Sequence, residues 1–551
     1  MDQKVIDAAR AAFPPSAAAL TLGAIVHTGE CHSEPIAAFP LAMANRHGLI
    51  AGATGTGKTR TLQLLAEQFS NAGVPVFLAD LKGDLSGMAV AGESNAKVEQ
   101  RAKDTGFAWK AAACPVEFLS LTGSRGAQLR ATVSSFGPLL LAKVLGLNET
   151  QTSVLTLVFK FCDDQKLPLI DFNDLRAVLQ FLVSAPGKPV LEQYGGMTKA
   201  TVGVLLREMV ELEAQGAGAF LGEPEFELED LLQLEDDGRG VVSVLALQDV
   251  QDKPALFSTF MMWMLAGLYH ELPEVGDVDK PKLVFFFDEA HLLFDGASKA
   301  FLQQVEQVVR LIRSKGVGVF FVTQNPKDVP ADILGQLGNR VQHALRAFTP
   351  DDERDLRAAA RTFPKTAFYE VEEILTTLGI GEAFVTVLTP NGTPTPPFAV
   401  RMIPPASRMG PLTDAELRPR LAASEQVREY AIAVDSESAR EMLAARMTGD
   451  AAGRGGDVRE IEADESATSV SQTREREPAA PPTGMLEAAA TWAGALFGSK
   501  LVRDMARTAT REVARGAMGR MVGAPPRRRA TRRRTTSGSA AAGRLLKGLF
   551  G

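Results

Sequence analysis

Eight consecutive residues, Gly52-Ala53-Thr54-Gly55-Thr56-Gly57-Lys58-Thr59, satisfy G-x-x-x-x-G-K-[ST] at every fixed position. The chemistry of such a run is specific. Glycines let the backbone curl until successive N–H groups point inward at a phosphate. Lys58 then reaches the β- and γ-phosphates of a nucleotide such as ATP. The Thr59 hydroxyl ligates Mg²⁺, and the helix that follows turns its positive end to the anion. A second run, Leu283-Val284-Phe285-Phe286-Phe287, is apolar at every position and ends in Asp288 and Glu289. That pattern suits a central parallel strand buried on both faces. Its terminal carboxylates would reach the crevice where α/β sheets bind ligands. Asp288 is expected to hold Mg²⁺ and Glu289 to polarise the attacking water.

Two further sets of polar residues follow apolar runs. Val319-Phe320-Phe321-Val322 leads into Thr323-Gln324, and Gln324 is placed to sense the γ-phosphate and orient water. Arg310, Arg313, Arg340 and Arg346 come after the acidic pair; phosphoryl transfer often needs an arginine to neutralise transition-state charge. Arg340 and Arg346 are the candidates for that finger. Asp80-Leu81-Lys82-Gly83-Asp84 closes another apolar run; it either couples nucleotide state to a partner or simply turns the chain at Gly83. Asp288-Glu289-Ala290-His291 spells DEAH, but the arginine-rich element of that helicase class is absent, and His291 receives no role.

These residues need a scaffold. Leu49–Ala51 and Val76–Asp80 read as strands around a helix from Lys58 to about Asn71. Strand signals return at Val241–Leu247, Leu283–Phe287, Val317–Val322 and Phe384–Leu388, with helical stretches between most of them. Strands alternating with helices predict βαβ units and a mostly parallel α/β sheet. Residues 128–235 read as mainly helical, with Leu139, Leu140, Val144 and Leu147 on one face and Val154, Leu157, Val158 and Phe161 on another. The expected division is a lead at 1–45 with a strand near Thr21–His27, an ATPase core at 46–127 and 236–446, and a helical insertion at 128–235. A disordered linker at 447–484 and a basic tail at 485–551 complete it.

The chain has 551 residues, 45% hydrophobic and 23% charged, which excludes a wholly disordered or fibrous protein. Cys31, Cys114 and Cys162 are too few and too scattered for a disulfide framework. No secretory signal and no apolar run of spanning length is read, so the expected compartment is the cytoplasm. The charge is unevenly spread. The last 51 residues hold thirteen arginines and lysines against two acids, a net of +11, which leaves −18 for the remainder of a chain totalling −7. Arg503, Arg507, Arg511 and Arg515 line one helical face, and two arginine triplets follow at 527–529 and 532–534. Such a tail suits the phosphates of nucleic acid; with Val502, Met505, Val513 and Met518 beside it, it also suits an anionic membrane surface. A solvated tail and a docking site for a protein partner stay open beside them.

Taken together, HGLIAGATGTGKT at 47–59, ADLKGDLSG at 79–87, KLVFFFDEAHLLF at 282–294, RLIRSKGVGVFFVTQNP at 310–326 and GQLGNRVQHALRAF at 335–348 resemble the HerA/FtsK group of P-loop ATPases. The likeness is closer still to the bacterial YjgR-like family of HerA-like proteins, over residues 40–445. It implies a RecA-like sheet of the additional-strand, catalytic-glutamate type, an ATPase that forms a homo-oligomer, most simply a hexameric ring, and a DNA translocase or helicase-like motor. A nucleotide-gated ATPase acting on a protein or membrane surface is the alternative. Only 51 residues precede Gly52, fewer than the β-barrel of HerA itself needs, and the winged helix of FtsK is not recognisable.

Overall fold

The computed structural model describes residues 3–16, 18–295 and 299–454. The basic tail and nearly all of the expected linker lie outside the described residues. Within the described residues, twelve strands form one sheet: β1 Ala19–His27, β2 Glu30–Pro40, β3 Gly48–Ala51, β4 Val76–Asp80, β5 Val116–Ser120, β6 Ala127–Gln128, β7 Val242–Ala246, β8 Leu283–Phe287, β9 Val317–Thr323, β10 Asn339–His343, β11 Glu382–Thr386 and β12 Phe398–Met402. Their order is β2-β1-β12-β11-β10-β3-β9-β8-β4-β7-β5-β6. From β10 to β6 every neighbouring pair is parallel. From β10 outward through β11, β12, β1 and β2 the pairs are antiparallel. The fold is thus a mostly parallel α/β sheet, and β9 stands between β3 and β8 as the additional-strand reading requires.

The central strands are buried at every position, which is why their sequences lack polar alternation. Successive side chains point to opposite faces, so one strand feeds two cores. Val284, Phe286, Phe320 and Ile50 pack with Leu62, Leu65 and Phe69 of the helix Lys58–Asn71. Leu283, Phe285, Phe287 and Phe321 face the other way, onto the helices Pro254–Glu271 and Lys299–Ile312. The helical insertion joins this second core through the helices Val133–Val144, Glu149–Gln165, Phe172–Leu182, Lys188–Gln193 and Lys199–Ala214. Among the described residues no helix is long and apolar enough to cross a membrane.

Several sequence expectations need adjustment. The lead is more than a single strand: it supplies the helix Gln3–Ala12 and the β1–β2 hairpin, whose half-exposed β2 carries too many polar residues to read as a strand. Leu139 is 47% exposed, because Gly137 at φ +65° kinks the helix Val133–Val144 and rotates the expected face. Val154, Val158 and Phe161 are buried as their spacing predicts. The helix Ala439–Arg454 continues past residue 447, held at its start by the buried Ala439 and Leu443.

Phe286 is fully buried, with ring centroids 6.2 Å from Phe69 and 5.0 Å from Phe320. Phe286→Ala opens a cavity at the centre of the sheet and is expected to cost about 3–5 kcal/mol. Chemical denaturation of the purified variant reads this as a lower midpoint at unchanged slope.

Candidate active site

Strands β3, β9, β8 and β4 run parallel, so their carboxyl ends share one edge. β3 opens into Gly52–Gly57, β9 into Gln324, β8 into Asp288 and Glu289, and β4 into a turn through Lys82. Topology alone brings these four segments together.

The phosphate loop is fastened from both sides. Gly52 N donates to Thr323 O at 3.3 Å, and Ala53 N to Ala344 O at 2.8 Å. The Thr56 hydroxyl donates to Ala53 O at 2.7 Å, and Thr56 O accepts from Gly381 N at 2.8 Å. Arg101, on the helix Ala96–Thr105, holds that last segment by donating to Ile380 O at 2.7 Å and Gly381 O at 3.0 Å. Two glycines are required by space. A Cβ on Gly52 would lie 2.5 Å from the Cβ of His343, and Gly57 sits at φ +119° with Gly381 Cα 3.1 Å from where its Cβ would be. No side chain caps the helix Lys58–Asn71, so its first-turn amides stay open to an anion. Lys58 Nζ folds onto Gly52 O at 2.6 Å and Ala53 O at 3.2 Å. Burial lowers the pKa of Lys58, opposed by Glu289 and Asp288.

The acidic side is equally enclosed. Asp288 is 6% exposed and accepts the Glu289 amide at 2.9 Å. Burial, then the charge of Glu289, pushes its pKa up to about 6. That is the state of a buried carboxylate that a cation would stabilise. Thr59, half-buried in the first turn of the helix, supplies the complementary hydroxyl, so the donor set fits Mg²⁺. Glu289 is 5% exposed and has φ +48°, a left-handed conformation that costs a non-glycine residue on the order of 1 kcal/mol or more. Its Oε1 pairs with Lys82 Nζ. His291 Nδ1 lies 3.4 Å from its Oε2, and a hydrogen bond with the Gln324 side chain also helps to lower its pKa. Burial raises the Glu289 pKa, but Lys82 leads the groups that outweigh it and leave it below the usual range.

Gln324 is exposed and its Oε1 lies 3.4 Å from the Thr54 hydroxyl, so it touches the phosphate loop. The two finger candidates differ. Arg340 belongs to β10, and its guanidinium donates to Leu337 O, Leu334 O and Thr362 O at 3.4, 3.4 and 3.1 Å. It is committed to its own chain. Arg346 is exposed two residues beyond Ala344, whose carbonyl anchors the phosphate loop, and has no hydrogen bond or ion pair among the described residues. Arg310 pairs with Glu306, and Arg313 lies 3.9 Å from Asp277.

Two functional positions escaped the sequence reading. Lys82 was visible in Asp80-Leu81-Lys82-Gly83-Asp84, but its pairing with Glu289, 207 residues away, depends on β4 lying beside β8. His343 is fully buried and lies 2.9 Å from the Thr61 hydroxyl and 2.8 Å from Glu382 O. Burial drives its pKa down to about 4, so a neutral ring ties the helix to β11.

A family model described as Helicase HerA-like C-terminal matches residues 27–528. The probable helicase MJECL08 of Methanocaldococcus jannaschii is 24% identical over 154 residues, 26% of this chain. That match spans only 28% of the relative's length. Among solved structures, the plasmid coupling protein TrwB bound to a non-hydrolysable GTP analogue is 14% identical, with a TM-score of 0.49 over 74% of this chain and 94% of that one. VirB4 of Thermoanaerobacter pseudethanolicus is 15% identical, with a TM-score of 0.43 over 71% of this chain and 97% of that one. Since the family model covers most of the sequence, from the last residue of β1 through every segment of the site, the chain belongs to the HerA-like helicase family.

Proposed function

We propose that the protein is an Mg²⁺-dependent ATPase that forms a ring of identical subunits and moves nucleic acid, with DNA as the substrate and the cytoplasm as its compartment. The observation that carries the reading is the placement of the phosphate loop after β3 and the Asp288–Glu289 pair after β8, with Gln324 after β9 between them. Glycine-loop amides and the open helix end take the phosphates. Lys58 exchanges the carbonyls of Gly52 and Ala53 for β- and γ-phosphate oxygens. Thr59 and Asp288 would hold Mg²⁺, which would supply positive charge against the phosphates. Glu289 accepts the proton of the water that attacks the γ-phosphorus, Gln324 orients that water, and ADP leaves.

Of the two finger candidates, Arg346 is the one free to reach a neighbouring subunit's nucleotide. The relative named a probable helicase supports a nucleic-acid substrate, and the arginine-rich tail suits phosphate contacts. Free cysteines at 31, 114 and 162 accord with a reducing compartment.

Lys58→Ala is expected to abolish ATP binding in a fluorescent-nucleotide titration. Glu289→Gln should bind ATP normally yet lose turnover by about 10²-fold or more; full activity in that variant removes the assignment. Arg346→Ala should cut turnover by about 10³-fold with unchanged thermal stability. Arg340→Ala should instead lower the melting temperature, by removing the guanidinium donors to the Leu334, Leu337 and Thr362 carbonyls.

The substrate is tested by ATP turnover with and without double-stranded DNA across a salt series, for the full chain and for a chain ending near Met447. Stimulation that fades with salt supports a DNA motor, and its loss on truncation assigns delivery to the tail. Turnover indifferent to DNA moves the substrate to a protein or a membrane surface.

A further inference from the structure

The catalytic groups lie on one side of the phosphate loop and leave its other side to the nucleoside. In the order β11-β10-β3-β9-β8, the loop follows β3, while Gln324 and Glu289 follow β9 and β8. The γ-phosphate is therefore drawn toward β9 and β8, and the opposite end of the nucleotide runs toward β10 and β11. β11 is antiparallel to β10 and pairs Ala383 with His343, so the chain enters β11 at the edge that carries the site. The entering segment, residues 379–381, rests on the loop. Gly381 N donates to Thr56 O at 2.8 Å, and Gly381 Cα lies 3.1 Å from where a Gly57 Cβ would be.

Ile380 is the middle residue of that segment, and it is 71% exposed. Its backbone is pinned on both sides. Leu378 before it is buried, and Arg101 donates to Ile380 O at 2.7 Å and to Gly381 O at 3.0 Å. A fixed segment thus presents a bare aliphatic surface beside the phosphate loop, where the face of a heterocyclic ring would cover it. The same segment has little left with which to read the edge of a ring. Gly379 N donates to Glu382 Oε2 at 2.8 Å, and Gly379 O accepts from Glu382 N at 3.0 Å. Gly381 O accepts from Met402 N at 3.0 Å as well as from Arg101. Among the described residues, only the Ile380 amide of this segment has no backbone or side-chain partner. A single donor suits N7, which is an acceptor in both purines.

We propose that Ile380 is the seat of the nucleobase: one ring face lies on its side chain and is held there by apolar contact, without hydrogen bonds that tell one purine from the other. The proposal rests on the ATPase reading above and adds the base preference of that site. Contact alone accepts adenine and guanine alike, so the protein takes ATP and GTP with nearly equal affinity. A site that reads an edge through hydrogen bonds rejects the wrong partner by orders of magnitude, and this segment supplies no such set.

The test is isothermal titration of the full-length protein carrying Glu289→Gln, which holds nucleotide without turnover. The probes are ATP, GTP and tripolyphosphate, each with Mg²⁺. ATP and GTP should bind within about fivefold of each other. Adding Ile380→Ser should weaken both about five- to tenfold and leave tripolyphosphate unchanged, because only the ring loses its contact. Ile380→Leu should keep the ATP affinity. Ile380→Trp should place an indole under the base, so its fluorescence should be quenched by ATP and not by tripolyphosphate. ATP affinity unchanged in Ile380→Ser, or ATP and tripolyphosphate weakened by the same factor, overturns the proposal. A preference for one purine larger than about fivefold overturns it as well. Tight ATP binding that survives Lys58→Ala overturns the ATPase reading instead.

Discussion

An ionised carboxylate at the end of a wholly apolar strand must be compensated, and that constraint orders the site. β8 delivers Asp288 and Glu289 into the interior edge of the sheet, where both are nearly inaccessible to solvent. Leaving such charges unmatched is prohibitively costly. Lysines arrive from the flanking segments to meet them, Lys58 from the loop after β3 and Lys82 from the turn after β4. The same parallel edge that makes the carboxylates useful makes these cations necessary.

Much of this was legible because the chemistry and the strand pattern are local. The phosphate loop, the helix Lys58–Asn71 and the strands at 76–80 and 283–287 follow from runs of fewer than fifteen residues, and the structure places all of them as read. What was not legible depends on neighbours distant in sequence. β10 carries no strand signal because Asn339, Arg340, Gln342 and His343 are polar, yet its polar groups are spent on the surrounding backbone and on Thr61. Arg340 read as a finger for the same reason: its type suggested chemistry, while its carbonyl partners come from segments no spacing rule connects. Lys82 is the converse case, an ordinary turn residue until β4 is set beside β8.

The sheet changes character at β10. On one side the parallel block carries the site at a single edge; on the other an antiparallel extension brings in the N-terminal hairpin and β11–β12. The extension is not passive. Its segment at 380–382 braces Thr56 and receives the buried His343, so the phosphate loop is gripped by strands from both regimes.

The brace between Arg101, Ile380, Gly381 and Thr56 has a consequence for the order in which the molecule is made. Arg101 and the carbonyls it holds are 279 and 280 residues apart, and the phosphate loop precedes both. During synthesis the loop leaves the ribosome long before the strands that fasten it. It lacks the Ala344 carbonyl until the chain has passed residue 344 and the Gly381 amide until it has passed residue 381. Nucleotide can therefore act as a ligand of the finished molecule but not as a template for its early folding. The nascent chain must keep the apolar runs of β3, β4 and β8 covered without it, a demand for chaperone protection that grows with the separation of contacting segments.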